Sequence, residues 1–290
     1  MAEHQTSSHY FCDDHDEHHL SLSSSTKKQI IFIRHGRSVF NELYVESGEN
    51  CPPNDPWVID SELSEIGLSQ VQVYNGHLGK LLEKALKSTL RNDSHKQSSN
   101  NDCSMKIISS PLTRCIQTCF HVLNTHQILL VNKEETVLNE SRKIIEIDPD
   151  CTELEESSCD VGSTYCELIA NEKMKHILSH FDLRLIENRG KWWYQSEDNS
   201  QQTVHFEPWE HFMERVRRFT ARLHTDLTTC DTIVVFSHFT FIRECVNYLA
   251  SSLKIDHAHS IVGEEESKQK NIPISNLENR EVIILEFDRN

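Results

Sequence analysis

Several features that mark other classes of protein are missing from this chain of 290 residues. No apolar run approaches the ~20 residues that a helix needs to cross a bilayer, so we expect no transmembrane helix. Residues 1–26 are polar, without the apolar core of a signal peptide or the Arg-rich, acid-poor composition of a mitochondrial presequence. We therefore expect a cytoplasmic protein with a disordered polar tail over residues 1–26, followed by one domain over residues 27–290.

Basic residues are also scarce. The chain has 29 of them against 45 acidic residues, which gives a formal net charge of −16. A chain of this charge repels nucleic acid and anionic membranes, so neither is an expected partner. A local cluster of arginines can still bind a small phosphorylated substrate, which is the partner that we expect. The composition does not indicate an oligomeric state.

The ten cysteines include no CxxC pair. A secreted disulfide scaffold is usually short and rich in closely spaced cysteines, and this chain is neither. We therefore expect free and mostly buried thiols in a reducing compartment.

Short apolar β-branched runs alternate with segments of helical periodicity along the chain. This alternation predicts an α/β fold with three layers, α/β/α, around a mostly parallel central sheet. Strands are predicted at 29–33, 105–108, 144–147, 232–236 and 281–287. Helices are predicted from 64 to about 87, from 111 to about 124, within 163–180, from 208 to 227 and from 240 to 253. Polar insertions are expected near 88–103 and 263–276.

Charged and imidazole side chains follow three of the predicted strands. Arg34 and His35 end the first strand, Arg114 lies in the first helical turn after the second, and His238 ends the fourth. The carboxyl ends of the strands meet at one sheet edge in such folds, so these side chains should converge. A neutral imidazole can attack phosphorus, and guanidinium groups bind phosphate oxygens. A carboxylic acid must also face this pocket, to protonate the leaving oxygen.

Four segments carry a family resemblance: 34–41 (RHGRSVFN), 60–70 (DSELSEIGLSQ), 109–118 (SSPLTRCIQT) and 234–243 (VVFSHFTFIR). With them the chain resembles the histidine phosphatase superfamily, the phosphoglycerate-mutase-like proteins, over roughly residues 29–287. The resemblance implies a phosphoglycerate-mutase-like fold and transient phosphorylation of His35. It implies a phosphate pocket of Arg34, Arg114 and the catalytic His238, with Asn41 as a helper. It implies no metal and no cofactor.

The proton donor is harder to assign. Members of the family usually carry it on a glutamate that follows a strand and a proline-containing turn, and Glu153 fits that form. Glu155 and Glu156 are near enough in sequence to compete, and Glu140 imitates the mutase form of the motif.

The resemblance leaves three functions open: a metal-independent phosphatase, a phosphoglycerate-type mutase, or a non-catalytic relative that binds phosphorylated ligands. The glycolytic mutase signature Glu-Arg-His-Tyr-Gly does not occur, which favours the phosphatase.

Phe239 stands where many members of the family have glycine after the second histidine. This difference changes the wall of the pocket, and therefore the substrate that the pocket can bind. The aromatic run 192–194 could be a substrate-facing lid, but we favour a hydrophobic anchor.

Overall fold

The computed structural model of this protein describes residues 28–46, 55–73, 79, 82, 105–125, 145–196, 204, 206–252, 257–261 and 282–287. The predicted tail and the predicted insertions near 88–103 and 263–276 lie outside the described residues, so the domain boundaries stay predictions. Among the helices of the described ranges, none has both the length and the apolar character needed to cross a membrane.

The described strands form one mixed sheet of seven strands in the order β4-β3-β2-β5-β1-β7-β6. The first five strands in this order run parallel to one another, whereas β7 pairs antiparallel with β1 and β6 pairs antiparallel with β7. The mostly parallel sheet is therefore confirmed. The strands are β1 Lys28–Arg34, β2 Met105–Ser109, β3 Ile145–Ile147, β4 Phe181–Asp182, β5 Thr232–Ser237, β6 His257–Ile261 and β7 Val282–Phe287.

The described α-helices are α1 Val39–Glu46, α2 Glu65–Val73, α3 Thr113–Thr125, α4 Tyr165–Ala170, α5 Glu172–Leu178, α6 Arg184–Glu187, α7 Trp209–Thr229 and α8 Phe239–Ser252. Five of these, α3, α4, α5, α7 and α8, lie at positions that the periodicity predicts, and α2 forms the described start of the helix that is predicted from residue 64. Two short 3-10 helices, Pro149–Cys151 and Ser158–Asp160, lie in the segment after β3. Ser64 caps α2 as predicted, because its hydroxyl accepts from the Gly67 amide at 3.0 Å.

The sheet separates two apolar cores, because side chains alternate across a strand. On β1, Ile31 and Ile33 point into a core with α3, whereas Ile30 and Phe32 point into a core with α7 and α8. All four side chains are fully buried. Helices therefore cover both faces of the sheet, and the predicted three-layer α/β/α class is confirmed.

Two strands, β4 and β6, and two helices, α1 and α6, were not predicted from the sequence. Strand β4 has two residues, which are too few to show the alternation of apolar and polar residues that is typical of a strand. Strand β6 reads His-Ala-His-Ser-Ile, with few apolar residues, and joins the sheet only through β7. Helix α6 spans four residues, about one turn. None of these elements changes the position of the strand ends that carry the site.

Candidate active site

The predicted convergence of strand ends is confirmed. Strands β2, β5 and β1 are neighbours in the sheet, so their carboxyl ends lie side by side. The amide of His35 donates to the Ser237 carbonyl at 3.1 Å, and the amide of Ser110 donates to the Phe236 carbonyl at 2.9 Å. The rings of His35 and His238 are consequently close, with centroids 5.1 Å apart.

His35 is held as a neutral imidazole with one nitrogen available. Its Nδ1 lies 2.7 Å from the Gly36 carbonyl oxygen, and because a carbonyl only accepts, Nδ1 carries the proton. The lone pair is then on Nε2, toward which the Arg114 Nε donates at 3.3 Å. Burial, followed by the charges of Arg114 and Arg34, holds the pKa of His35 well below its ordinary value of 6.5. This is the protonation state that a nucleophile needs.

Arg114 connects His35 to a buried carboxylate. Only 2% of the arginine is exposed, and its Nη2 donates to Asp160 at 2.9 Å. Its Nη1 donates to the carbonyl of Cys159. The guanidinium plane is thereby fixed with Nε directed at His35, and the charge stays beside the nitrogen that would attack a phosphate.

His238 is fully buried and lies across the pocket from His35. Its Nε2 is 2.8 Å from the Ser110 hydroxyl. Burial, then the charge of Arg114, lowers the pKa of His238 well below its ordinary value. The lowered pKa favours the neutral form of His238, and the predicted role of His238 as a charged donor would require a negative charge beside it.

Arg34 is placed by aromatic contact. The guanidinium carbon of Arg34 lies 5.1 Å from the centre of the Phe239 ring, and that of Arg243 lies 5.4 Å from the same centre. Cation–π contacts at such distances are favourable. Phe239, which stands where many members of the resembled family have glycine, therefore contacts an arginine that is predicted to bind phosphate.

Glu153 lies against the helix that follows His238. Its carboxylate accepts from the amides of Thr240 and Phe241 at 3.2 Å each, in the first turn of α8. Burial, then the charge of Asp160, raises the pKa of Glu153 above its ordinary value, although the amide hydrogen bonds oppose this. A raised pKa favours the protonated form that a general acid needs at the start of the reaction.

The other candidate acids differ from Glu153 in position. Glu155 is buried, Glu156 is exposed, and Glu140 lies outside the described residues. Among these, Glu153 is the one with described hydrogen bonds to the helix that begins after His238. The assignment of Glu153 as the proton donor stays a prediction that this position supports.

Asn41 lies on α1, directly after the loop that follows His35. Its Oδ1 accepts from the amide and the hydroxyl of Ser38, at 3.1 and 3.0 Å. Because Oδ1 is engaged in this way, the Nδ2 group is the part of the side chain that could donate a hydrogen bond to a ligand. Its role as a phosphate helper remains a prediction.

Several motif residues without predicted roles prove to be the scaffold of the loop after His35. Their side-chain oxygens accept from backbone amides: Thr118 from Gly36 at 3.1 Å, Gln70 from Arg37 at 3.0 Å, Gln117 from Leu63 at 2.7 Å and Asp60 from Thr113 at 2.8 Å. A Cβ on Gly67 would lie 2.0 Å from the Arg37 carbonyl oxygen, so only glycine permits this approach of α2. The motifs thus specify both the reacting groups and their support.

Sequence reasoning also missed Arg215, a buried residue of α7. Its Nη1 donates to the carbonyls of Asp150 and Thr152 at 3.0 and 3.2 Å, and its Nη2 donates to the Glu153 carbonyl at 3.1 Å. The carboxylate of Glu207 holds the other side of the guanidinium, at 2.8 and 2.6 Å. Arg215 thereby fixes the backbone that carries Glu153. The available signal was an arginine on the apolar stripe of an amphipathic helix.

A cleft of about 630 Å³ opens beside Glu153 and Asp160. Its aromatic lining includes Trp192, Trp193 and Tyr194. Trp192 is an anchor, as predicted: it is 8% exposed, and its Nε1 donates to the Ser163 carbonyl at 2.8 Å. Trp193 and Tyr194 are half-buried, so this run combines an anchor with a surface that faces the cleft. Within the described ranges, no group of three or more His, Cys, Asp or Glu side chains is arranged to hold a metal ion.

Comparison with known proteins identifies structural similarity without sequence similarity. No family model matches the chain, and no curated protein matches it. Among solved structures, it is similar to a mycobacterial glucosyl-3-phosphoglycerate phosphatase, with 15% identity over 77% of this chain and 80% of that one, at a TM-score of 0.37.

Two further similar structures have TM-scores of 0.39. One is a phosphoglycerate mutase from Bacillus anthracis, with 16% identity over 79% of this chain and 82% of that one. The other is the ecdysone phosphate phosphatase from Bombix mori, in complex with tungstate, with 14% identity over 86% of this chain and 84% of that one.

Proposed function

We propose that this protein is a metal-independent phosphatase that hydrolyses a phosphate monoester through a phosphohistidine on His35. The observation that carries the proposal is the state of this imidazole. Nδ1 is committed to the Gly36 carbonyl, so Nε2 is unprotonated, and its lone pair accepts a long hydrogen bond from Arg114 Nε that breaks when phosphorus takes its place. This is an arrangement for nucleophilic attack beside a fixed positive charge.

The reaction has two steps. Nε2 of His35 attacks phosphorus in line with the leaving oxygen, and the bond from phosphorus to that oxygen breaks as Glu153 gives it a proton. Arg34 and Arg114 hold the other phosphate oxygens and stabilise their charge. Water then attacks the phosphohistidine while the Glu153 carboxylate takes its proton, which releases phosphate and restores both side chains.

The proposal also concerns partners and location. A small phosphorylated molecule is the partner, and nucleic acid and membrane are not. The compartment is the cytoplasm. The cysteines of the described segments support a reducing compartment, because all seven are free thiols and six of them are buried.

Hydrolysis of an aryl phosphate in the presence of EDTA tests the proposal. We expect turnover by the wild type, loss of it in His35→Ala, and normal turnover in His176→Ala, which removes an exposed histidine of α5. Activity that survives in His35→Ala would contradict the assignment of the nucleophile.

The two alternative functions give different results in related assays. A mutase would interconvert phosphoglycerates in the presence of 2,3-bisphosphoglycerate faster than it releases phosphate. A non-catalytic relative would bind phosphate esters without turnover and without forming a phosphoenzyme.

A further inference from the structure

We propose that the cleft beside Glu153 is the binding site for the leaving group, and that it takes an uncharged aromatic group larger than one ring. The inference rests on the proposed function, because it uses the position of the proton donor. It names the class of substrate: a phosphate monoester of a fused or extended aryl alcohol.

The position of the cleft follows from proton transfer. A general acid must come within hydrogen-bonding reach of the oxygen that it protonates. The leaving group therefore departs on the side of Glu153, away from His35. The cleft lies there, because Glu153 and Asp160 line it and Asp160 also binds Arg114 of the phosphate pocket.

One wall of the cleft is aromatic and is held in place. The rings of Trp192 and Trp193 meet edge to face, with centroids 5.2 Å apart at 86°. Trp192 is immobilised by packing on Gly162, where an added Cβ would come within 2.1 Å of the indole. The Tyr194 ring is supported by His211, with centroids 5.0 Å apart. Rings fixed in this way offer stacking surface to an aromatic ligand with little loss of conformational entropy. The Lys191 ammonium lies 6.0 Å from the centre of the Trp193 ring, so a ligand that stacks on that face displaces it.

The charges in the cleft disfavour an anionic leaving group. Carboxylates of Asp150 and Glu207 line it, but the arginines that could balance a ligand's charge are already engaged. Arg218 pairs with Asp150 at 2.8 Å, and Arg215 pairs with Glu207. Arg189 lines the cleft as well, but it is exposed to solvent, where an ion pair contributes little.

The size of the cleft favours a leaving group that is larger than one aromatic ring. The volume of about 630 Å³ falls in the range of sites that enclose whole drug-sized ligands. A fused ring system offers a larger surface to the aromatic side chains of this wall than a phenyl group does.

The test compares phenyl phosphate with 2-naphthyl phosphate. Phenol and 2-naphthol are similar in acidity, so the chemical step is matched and the ratio of kcat/KM reports contact with the cleft. We expect the wild type to favour 2-naphthyl phosphate by about tenfold, the factor that about 1.4 kcal/mol of binding gives. In Trp193→Ala and in Tyr194→Ala the ratio should fall toward one. Trp209→Ala, which removes an exposed tryptophan of α7 outside the cleft, should keep the wild-type ratio.

The outcomes separate the two proposals. Hydrolysis of both esters at equal kcat/KM by the wild type, or an unchanged ratio in the cleft variants, would overturn the aryl subsite and leave the phosphatase intact. Preference for glycerol 2-phosphate over both aryl esters would overturn the substrate class. Failure of the wild type to hydrolyse any of the three esters would reject the phosphatase itself.

Discussion

Replacement of Arg215 by methionine should destabilise the fold through the carboxylate that it leaves behind. The side chain of Glu207 is 1% exposed and accepts two hydrogen bonds from Arg215. Removing one partner of a buried ion pair costs about 3–5 kcal/mol, because the remaining charge loses most of its compensation. The group that stays beside Glu207 is His211, whose Nδ1 lies 2.5 Å from the carboxylate and whose side chain is exposed. We expect the free energy of unfolding to fall by about that amount. The double variant Arg215→Met/Glu207→Met should recover the part that is due to the buried charge, but not the part that is due to the lost hydrogen bonds to the carbonyls of residues 150, 152 and 153.

Urea unfolding at neutral pH, followed by fluorescence of the buried tryptophan, measures both effects. Arg217→Met is the matched control, because this arginine lies on the same helix and is exposed. It should change stability by less than about 0.5 kcal/mol. If the double variant is less stable than Arg215→Met, then the uncompensated charge of Glu207 is not the cause of the loss.

The same residue should control proton donation. Arg215→Lys keeps the positive charge but lacks the planar fork that spans the carbonyls of Asp150, Thr152 and Glu153. Only a poor leaving group needs the proton, so kcat/KM, which reports the transfer of phosphate to His35, should fall by about 10²-fold or more on an alkyl phosphate. On 4-nitrophenyl phosphate it should fall by less than about tenfold, the factor that 1.36 kcal/mol gives. An equal loss on both esters would show that Arg215 does not act through Glu153.

Three further predictions concern the pocket. Gly67→Ala should reduce both stability and kcat, because its Cβ collides with the Arg37 carbonyl; wild-type values in thermal unfolding and turnover would contradict this. In the wild type, kcat/KM should fall at high pH as Glu153 loses its proton, and Glu153→Gln should remove that limb of the pH profile while lowering the rate. An unchanged limb would exclude this glutamate. The pKa values of His35 and His238 lie below 6.5, so the unfolded chain binds protons first as the pH falls. The free energy of unfolding should therefore decrease below pH 6.5, by up to about 1.4 kcal/mol per pH unit for each histidine, and His35→Asn should reduce that slope in denaturant titrations.

The phosphate end of the site could be predicted from the sequence because its residues are tied to local signals. Arg34, His35 and His238 each come at or directly after the end of a buried strand, and such strands are recognisable as short apolar runs. Once two runs are assigned to one parallel sheet, the position of their carboxyl ends follows. Short motifs and sheet geometry together were sufficient here.

The surroundings of Glu153, the predicted proton donor, could not be predicted from the sequence in the same detail. The carbonyls that Arg215 binds are 62 to 65 residues away in sequence, and no local pattern specifies such a contact. The protonation states of His35 and His238 arise from burial and from neighbouring arginines, which only the folded chain provides. Strand β6 was missed for a similar reason. Its sequence lacks a strand pattern, and it forms a strand because it pairs with β7.

The most direct test of the central claim is to trap the phosphoenzyme. The wild type is mixed briefly with a ³²P-labelled aryl phosphate and quenched in alkali, and the labelled peptide is identified. We predict one alkali-stable, acid-labile phosphate on His35, absent in His35→Ala and present in His176→Ala. Turnover by the wild type without a labelled intermediate, or a label on any other residue, would contradict the account.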